Sequence, residues 1–147
     1  MVRLLDLNLL IALAWPSHVH HPQAHAWFAG RGGASWATCP FTQCGFVRLS
    51  SNPRMISDAV APQQALALLE EVVAYPHHVF WPDAVPLVGT DQMPTSLLVG
   101  HRQVTDAYLL GLAIHHGGKL ATLDQSIAHL LPSDSPHRDV LETVPVT

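Results

Sequence analysis

The N-terminal stretch VRLLDLNLLIALAW, residues 2–15, decides the fold. Its first four residues favour β structure and stop at Asp6, which predicts a short strand. Helix-forming Leu and Ala dominate from Asn8 to Trp15, and Pro16 disfavours helical geometry in the residue before it, so a helix is predicted to end there. A strand that runs directly into an apolar helix is typical of an α/β protein.

The rest of the chain repeats this alternation of strands and helices. The remaining predicted strands cover residues 35–39, 79–81, 119–123 and 141–146. The remaining predicted helices cover residues 23–28, 42–49, 63–74, 95–100, 106–116 and 126–131, with a buried stripe of Leu66, Leu69 and Val73 and with Thr105 as the cap before Asp106. The pattern predicts one α/β domain over residues 1–147, with a mostly parallel sheet covered by helices on both faces and an edge strand at 141–146.

Composition excludes several classes of protein. The chain has 147 residues, of which 48% are hydrophobic and 12% are charged, so it can bury a core and is not disordered. Its formal net charge of −4 excludes a basic protein that coats nucleic acid. That charge still allows an enzyme that holds phosphates through bound metal ions.

The N-terminal apolar run also resembles a secretion signal, with Arg3 ahead of residues 7–15. Asp6 and Asn8 interrupt it, and the whole segment is short for a signal peptide, so a buried strand and helix are the preferred interpretation. No apolar run is long enough to span a membrane, and no membrane association is predicted. The two cysteines, Cys39 and Cys44, are too few for a disulfide framework and suit the reducing cytoplasm.

Three aspartates occupy the ends of predicted elements. Asp6 and Asp124 each follow an apolar strand, and Asp106 opens the apolar helix before the second of those strands. Because strand C-termini and the following helix N-termini meet at one edge of a parallel sheet, the three carboxylates are expected to converge there.

Clustered carboxylates repel one another, and each raises the pKa of its neighbours unless a cation is present. Mg²⁺ and Mn²⁺ prefer oxygen ligands, and they can position a water and stabilise charge on a phosphate. The alternative for each aspartate alone is a helix cap or a turn residue. For the histidines at 18–25, the alternatives are a zinc site and ordinary solvated side chains.

Four short motifs, in order, resemble those of PIN-domain ribonucleases, most closely the VapC-type toxins of prokaryotic toxin–antitoxin pairs. They are LLDLN at 4–8, TQCGFVRLSSNP at 42–53, VTDAYLL at 104–110 and ATLD at 121–124. The resemblance implies a three-layer α/β/α fold with a central parallel sheet. It also implies Mg²⁺- or Mn²⁺-dependent endonucleolytic cleavage of RNA and control by a cognate antitoxin. The acidic crevice and the high hydrophobic content suggest that the chain also pairs with itself as a homodimer.

The resemblance also assigns roles to particular residues. Asp6 and Asp106 match direct metal ligands, and Asp124 would bind a second metal ion or orient the attacking water. The family's remaining acid aligns with Gln43, whose amide oxygen is a possible ligand without charge.

Groups around these side chains are assigned supporting roles. Asn8 and Thr122 are expected to orient the carboxylates. Arg48, Arg54 and Arg102 are candidates for contacts to RNA phosphates, with a solvated surface role as the alternative.

Two other functions stay open at this point. A catalytically weak PIN fold that binds RNA or protein without cutting is favoured by Gln43 in place of an acid. A receiver-like signalling domain also clusters acids at strand ends, but Asp83 is a poor match for its phosphoacceptor. Metal-dependent cleavage of RNA is the preferred interpretation.

Overall fold

A computed structural model describes residues 1–146, and the last residue of the predicted domain, Thr147, lies outside this range. The strands are β1 (Arg3–Leu5), β2 (Trp36–Thr38), β3 (His78–Phe80), β4 (Lys119–Thr122) and β5 (Leu141–Thr143). The α-helices are α1 (Leu7–Ala14), α2 (His21–Gly30), α3 (Pro40–Ser50), α4 (Pro62–Val73) and α5 (Val104–His115). Short 3-10 helices cover His101–Gln103, Gln125–Leu130 and Arg138–Val140.

The five strands form one parallel sheet in the order β3-β2-β1-β4-β5. The predicted parallel sheet and the predicted edge position of the last strand are therefore confirmed. A receiver-like domain is excluded, because that fold has the order 2-1-3-4-5. After β1, the chain adds β2 and then β3 on one side of that strand. It then crosses over the sheet and adds β4 and β5 on the other side of β1.

Helices cover both faces of the sheet because alternate strand residues point to opposite faces. Leu4 and Ala37 point into the core beneath α5. Leu5 and Trp36 point into the core beneath α1 to α4. The result is the predicted three-layer α/β/α arrangement. Within residues 1–146, no helix is long and apolar enough to cross a lipid bilayer.

The N-terminal apolar run forms β1 and α1, as preferred on sequence grounds. Asp6 caps α1, and Trp15 ends it with an extended backbone ahead of Pro16. Residues Leu9 to Ala12 are at most 3% exposed, so the helix is buried in the core and its apolar character serves packing.

The prediction of a helix over residues 95–100 is wrong. This segment contains turns, and the first helical residues after it belong to the 3-10 helix at His101. The side-chain oxygen of Gln103 accepts hydrogen bonds from the backbone N–H groups of Val99 and Gly100 at 2.8 and 3.0 Å. These bonds hold the backbone in a capped turn in place of a continuous helix. The 3-10 helix then runs directly into α5, so Thr105 is a helical residue and not the predicted cap.

The predicted buried stripe of α4 is also partly wrong, because Leu66 is 42% exposed. The buried positions are Ala65 and Leu69, four residues apart. The small side chain of Ala65 lets α4 approach its neighbours closely, and the sequence pattern favoured the larger Leu66 instead.

Replacing Gly118, just before β4, by alanine is expected to lower the free energy of unfolding by about 1–3 kcal/mol, because the new atom overpacks the core. A Cβ there would lie 2.5 Å from the carbonyl oxygen of Val2 and 2.6 Å from the ring of Trp81. Urea unfolding measures the change. The matched control is Gly30→Ala at the end of α2, where a Cβ meets nothing within 4 Å and stability is expected to hold or rise. Equal stability of both variants would contradict this packing.

Candidate active site

The strand order creates a crevice between β1 and β4 at the C-terminal edge of the sheet. These two strands are neighbours, yet their connections leave in opposite directions, and such a switch point is the usual ligand-binding position in an open α/β sheet. Asp6 follows β1 and Asp124 follows two residues after the end of β4. The topology therefore brings together two side chains that are far apart in sequence.

Asp6 is fixed in this crevice by two hydrogen bonds. Its Oδ1 accepts from the backbone N–H of Leu7 at 2.8 Å, and its Oδ2 accepts from the hydroxyl of Thr122 at 2.7 Å. The residue is 7% exposed. Burial raises the pKa of this carboxyl, the two hydrogen bonds oppose that effect, and the charge of Asp124 adds to it. Asp6 is thus a helix cap and also a buried carboxylate with a fixed orientation.

Thr122 connects the two strand ends. While its hydroxyl donates to Asp6, its oxygen accepts a hydrogen bond from the backbone N–H of Asp124 at 3.0 Å. Asp124 is exposed, and its Oδ1 accepts from the backbone and the hydroxyl of Ser126 at 2.9 and 2.6 Å. The structure places Thr122 where it can orient a carboxylate and leaves Oδ2 of Asp124 facing solvent.

Asp106 approaches the crevice from the first turn of α5, on the opposite layer of the fold from α1. Partial burial raises its pKa, and the charges of Asp6 and Asp124 raise it further, to about 6. This mutual influence shows that the three carboxylates share one electrostatic environment. A bound cation would stabilise the charged carboxylates, because its positive charge offsets both their mutual repulsion and the cost of burying them.

The raised pKa of Asp106 predicts how stability varies with pH when no metal is present. The folded state binds this proton more tightly than the unfolded state, whose carboxyl keeps a pKa near 3.8. Stability is therefore expected to fall as the pH rises from about 4 to about 6 and then to level off. Since the group is partly open to water, the expected loss is about 1–2 kcal/mol.

Urea unfolding in EDTA between pH 4 and 7 measures this loss. In the Asp106→Asn variant, the free energy of unfolding should fall less steeply with pH over the same interval. Parallel pH curves for the two proteins would contradict the assignment of the proton to Asp106.

Gln43 lies in the first turn of α3, beside the end of β2. The pairing of Leu4 with Ala37 brings Thr38 next to Leu5, one residue before Asp6. The amide Nε2 of Gln43 donates to the hydroxyl of Thr38 at 3.0 Å. The structure thus places Gln43 at the same edge of the sheet as the aspartates, and its carbonyl oxygen remains a potential ligand.

The other predicted site residues are placed differently. The side chain of Asn8 is exposed and forms no hydrogen bond with Asp6. Arg102 is exposed in the 3-10 helix ahead of α5, near the start of the helix that carries Asp106. Arg48 and Arg54 lie at and beyond the far end of α3, about 10 Å or more along the helix axis from its start. The structure does not bring these two arginines to the crevice.

Sequence reasoning missed three residues at or near this edge. Thr38 and His78 contact each other across β2 and β3 at 2.7 Å. The hydroxyl of Tyr108, two residues past Asp106, is shielded from solvent near Asp83. Burial and the charge of Asp83 raise the pKa of Tyr108. The rule that strand ends carry function pointed to Thr38, which ends β2, but no sequence signal linked it to His78.

The chemistry of these donors suits a hard divalent cation. In the described part of the chain, no three His, Cys, Asp or Glu side chains lie close enough together to form a cage that could hold a metal ion. Mg²⁺ does not require such a cage, because it keeps several waters and binds through one or two carboxylates together with substrate phosphates. The carboxylates of Asp6, Asp106 and Asp124 supply oxygen donors of the kind that Mg²⁺ and Mn²⁺ prefer.

The histidines at 18–25 serve the backbone instead. His21 Nδ1 and His25 Nε2 hydrogen bond to the carbonyl oxygens of Ala12 and Leu13 at 2.7 and 3.0 Å. These two rings satisfy carbonyl groups at the C-terminal end of α1, which have no partner within the helix. Their contacts support a capping role.

Several known proteins are similar to this chain. The chain is 43% identical over 128 residues to ribonuclease VapC39 of Mycobacterium tuberculosis, which covers 87% of this chain and 92% of that protein. It is 45% identical over 124 residues to ribonuclease VapC38 of the same organism, covering 84% of this chain and 86% of that protein. With ribonuclease VapC29, also from this organism, it shares 41% identity over 147 residues, which is 100% of this chain and 99% of that protein.

Among solved structures, the fold is similar to the VapBC2 complex of Rickettsia felis bound to a DNA fragment from their promoter. The TM-score is 0.62 at 12% sequence identity, and the match covers 99% of this chain and 100% of that chain. At that identity the likeness supports the fold. No protein-family model matches the sequence.

Proposed function

Because the chain belongs to the family of VapC ribonucleases, we propose that it is the toxin of a toxin–antitoxin pair and cuts RNA internally with a bound Mg²⁺ or Mn²⁺ ion. The observation that carries this proposal is the shared electrostatic environment of three carboxylates at the switch point of the sheet, where partial burial and then the charges of Asp6 and Asp124 raise the pKa of Asp106 to about 6. A divalent cation at these carboxylates supplies positive charge for a phosphate group and makes a nearby water more acidic.

The protein's own side chains have distinct parts in this reaction. Asp6 is held in one orientation by Leu7 and Thr122 and supplies the first carboxylate. Asp106 adds the second carboxylate from α5. Asp124 has Oδ1 engaged by Ser126, so Oδ2 is available to accept a hydrogen bond from the attacking water. The water oxygen would then form a bond to phosphorus and lose a proton to solvent, while one P–O bond of the RNA backbone breaks and its leaving oxygen takes up a proton.

The direct test is cleavage of total RNA by the purified protein, with Mg²⁺, with Mn²⁺ and with EDTA. We expect discrete fragments with either metal ion. EDTA should lower the rate by about 10²-fold or more, since several kcal/mol of charge stabilisation are lost. Equal cleavage in EDTA would contradict the role of the metal. Absence of cleavage under all three conditions would contradict the nuclease itself.

A second candidate function is RNA or protein binding without cleavage. It is supported by Gln43, which contributes no charge where the family's fourth acid aligns. Specific RNA binding together with no cleavage in Mn²⁺ would favour this function, because Mn²⁺ binds a given set of ligands more tightly than harder ions do.

The proposed antitoxin needs an apolar surface, and one is present between α1, α2 and α4. A groove of about 200 Å³ there is lined mainly by apolar side chains, among them Leu10, Leu13, Phe28 and Val72. We propose that an amphipathic segment of the antitoxin binds it. Copurification of an antitoxin and its loss in Leu13→Asp would support this assignment.

A homodimer is supported by a different surface. The segment from residue 87 to the start of α5 exposes five large apolar side chains, which are Leu87, Val88, Leu97, Val99 and Val104. We propose that a second copy covers them and that the protein acts in the cytoplasm, consistent with its two free cysteines. Light scattering of the isolated chain measures the oligomeric state.

A further inference from the structure

A buried threonine hydroxyl at the end of β2 lies between a side-chain amide on α3 and an imidazole ring on β3. Thr38 is 0% exposed, and its Oγ1 accepts a hydrogen bond from Gln43 Nε2 at 3.0 Å. The same oxygen is 2.7 Å from Nε2 of His78 on the neighbouring strand β3. These three side chains form a continuous hydrogen-bonded row, here called the Gln43 row, which starts beside the crevice and ends at the ring of His78.

The position of each hydrogen in the Gln43 row follows from counting donors. A threonine hydroxyl carries one hydrogen. Gln43 donates to Thr38, and the only other hydrogen-bond partner of this buried hydroxyl in residues 1–146 is Nε2 of His78, so the hydroxyl donates its hydrogen to that nitrogen. That nitrogen must then be unprotonated, so the ring is neutral and carries its hydrogen on Nδ1.

The surroundings of His78 favour this neutral form. Burial lowers the pKa of the ring. The ring also packs edge-on against Trp36, with centroids 4.7 Å apart. A neutral ring is therefore the state in which the row of hydrogen bonds is complete.

We propose that Thr38 and His78 are positioning residues that fix the amide of Gln43, so that its carbonyl oxygen faces the crevice. This inference rests on the proposed function, because an oxygen is the atom that a hard divalent cation or a coordinated water accepts from an amide. With the opposite arrangement, His78 Nε2–H donates to Thr38 and Thr38 donates to Gln43 Oε1. The NH₂ group would then face the cation and oppose its binding.

The first test uses nitrogen-15 NMR of the metal-free protein and so does not depend on activity. The imidazole nitrogens of His78 should show the hydrogen on Nδ1 at pH 7. In Thr38→Val, which removes the hydroxyl and keeps the shape, the Nε2 resonance should shift. A hydrogen on Nε2 in the unaltered protein would overturn the proposal.

The second test measures Mn²⁺ affinity by calorimetry. Thr38→Val should weaken binding by about 3- to 10-fold, and Thr38→Ser, which restores the hydroxyl, should return it to within about 2-fold. If Thr38 acts through Gln43, the effect of Thr38→Val should disappear in the Gln43→Ala background. Additive effects of the two changes would show a merely structural role for Thr38 and would overturn the proposal.

These outcomes separate the row from the proposed function. If the unaltered protein cuts RNA with Mn²⁺ while Thr38→Val binds Mn²⁺ equally well, the positioning role is wrong and the nuclease stands. If the unaltered protein neither binds Mn²⁺ nor cuts RNA, the proposed function is wrong, and the His78 resonances alone decide the orientation of the amide.

Discussion

Asp106→Asn is expected to lower the rate of RNA cleavage by about 10²- to 10⁴-fold, since it removes about 3–5 kcal/mol of transition-state stabilisation. Asp106 is one of three carboxylates in a shared electrostatic environment, and its pKa of about 6 shows that its charge is unfavourable in the metal-free protein. The neutral amide removes that repulsion. The same substitution should therefore raise the metal-free free energy of unfolding by about 1–2 kcal/mol at pH 7.

Opposite changes in activity and stability are characteristic of a functional residue whose charge is costly in the fold. Cleavage assays and urea unfolding of the same preparation measure both changes. Asp6→Asn should also abolish cleavage. Asp134→Asn, with the same chemical change at an exposed position, is the matched control and should leave both quantities unchanged. Full activity in Asp106→Asn and Asp6→Asn would remove these residues from the site.

Thr122→Val is expected to lower cleavage by about 10- to 100-fold, because it removes the hydroxyl that orients a catalytic carboxylate. The hydroxyl donates to the buried Asp6 at 2.7 Å, and its oxygen accepts from the backbone of Asp124 at 3.0 Å. Valine keeps the shape of the side chain and leaves both partners unsatisfied. The expected loss of stability is about 1–3 kcal/mol, in contrast to the gain expected for Asp106→Asn.

The neighbouring strand offers a control for this substitution. Thr143 pairs with Thr122 in the sheet register and is only partly buried, so Thr143→Val should change cleavage little. Thr122→Ser, which keeps the hydroxyl, should recover most of the activity. If Thr122→Val retains full cleavage, the orientation of Asp6 does not depend on this hydrogen bond.

Much of the fold could be predicted from sequence because its signals are local. Asp6 ends an apolar strand and caps an apolar helix, and both elements follow from neighbouring residues. The placement of Asp6 and Asp124 at one edge followed from the general geometry of parallel sheets. The order of the strands did not follow, since it depends on contacts between segments far apart in the chain.

The errors arose where a side chain competes with the backbone or where packing overrides composition. Gln103 caps the turn at Val99 and Gly100, and no propensity scale contains that contact. Leu66 is more apolar than Ala65, yet the smaller residue is buried because α4 packs closely against α3.

The hydrogen bond between Asp6 and Thr122 joins residues 116 positions apart, and this separation has a consequence for biosynthesis. Chains emerge from the ribosome from the N-terminus at about 5–20 residues per second. Until Thr122 has been made, β1 exists without its neighbour β4, and the crevice between these two strands is incomplete. Asp6 and Asp124 cannot meet until residue 124 has been made. A ribonuclease built this way is inactive while the segment between β1 and β4 is being made, and its activity can arise only after β4 has joined β1.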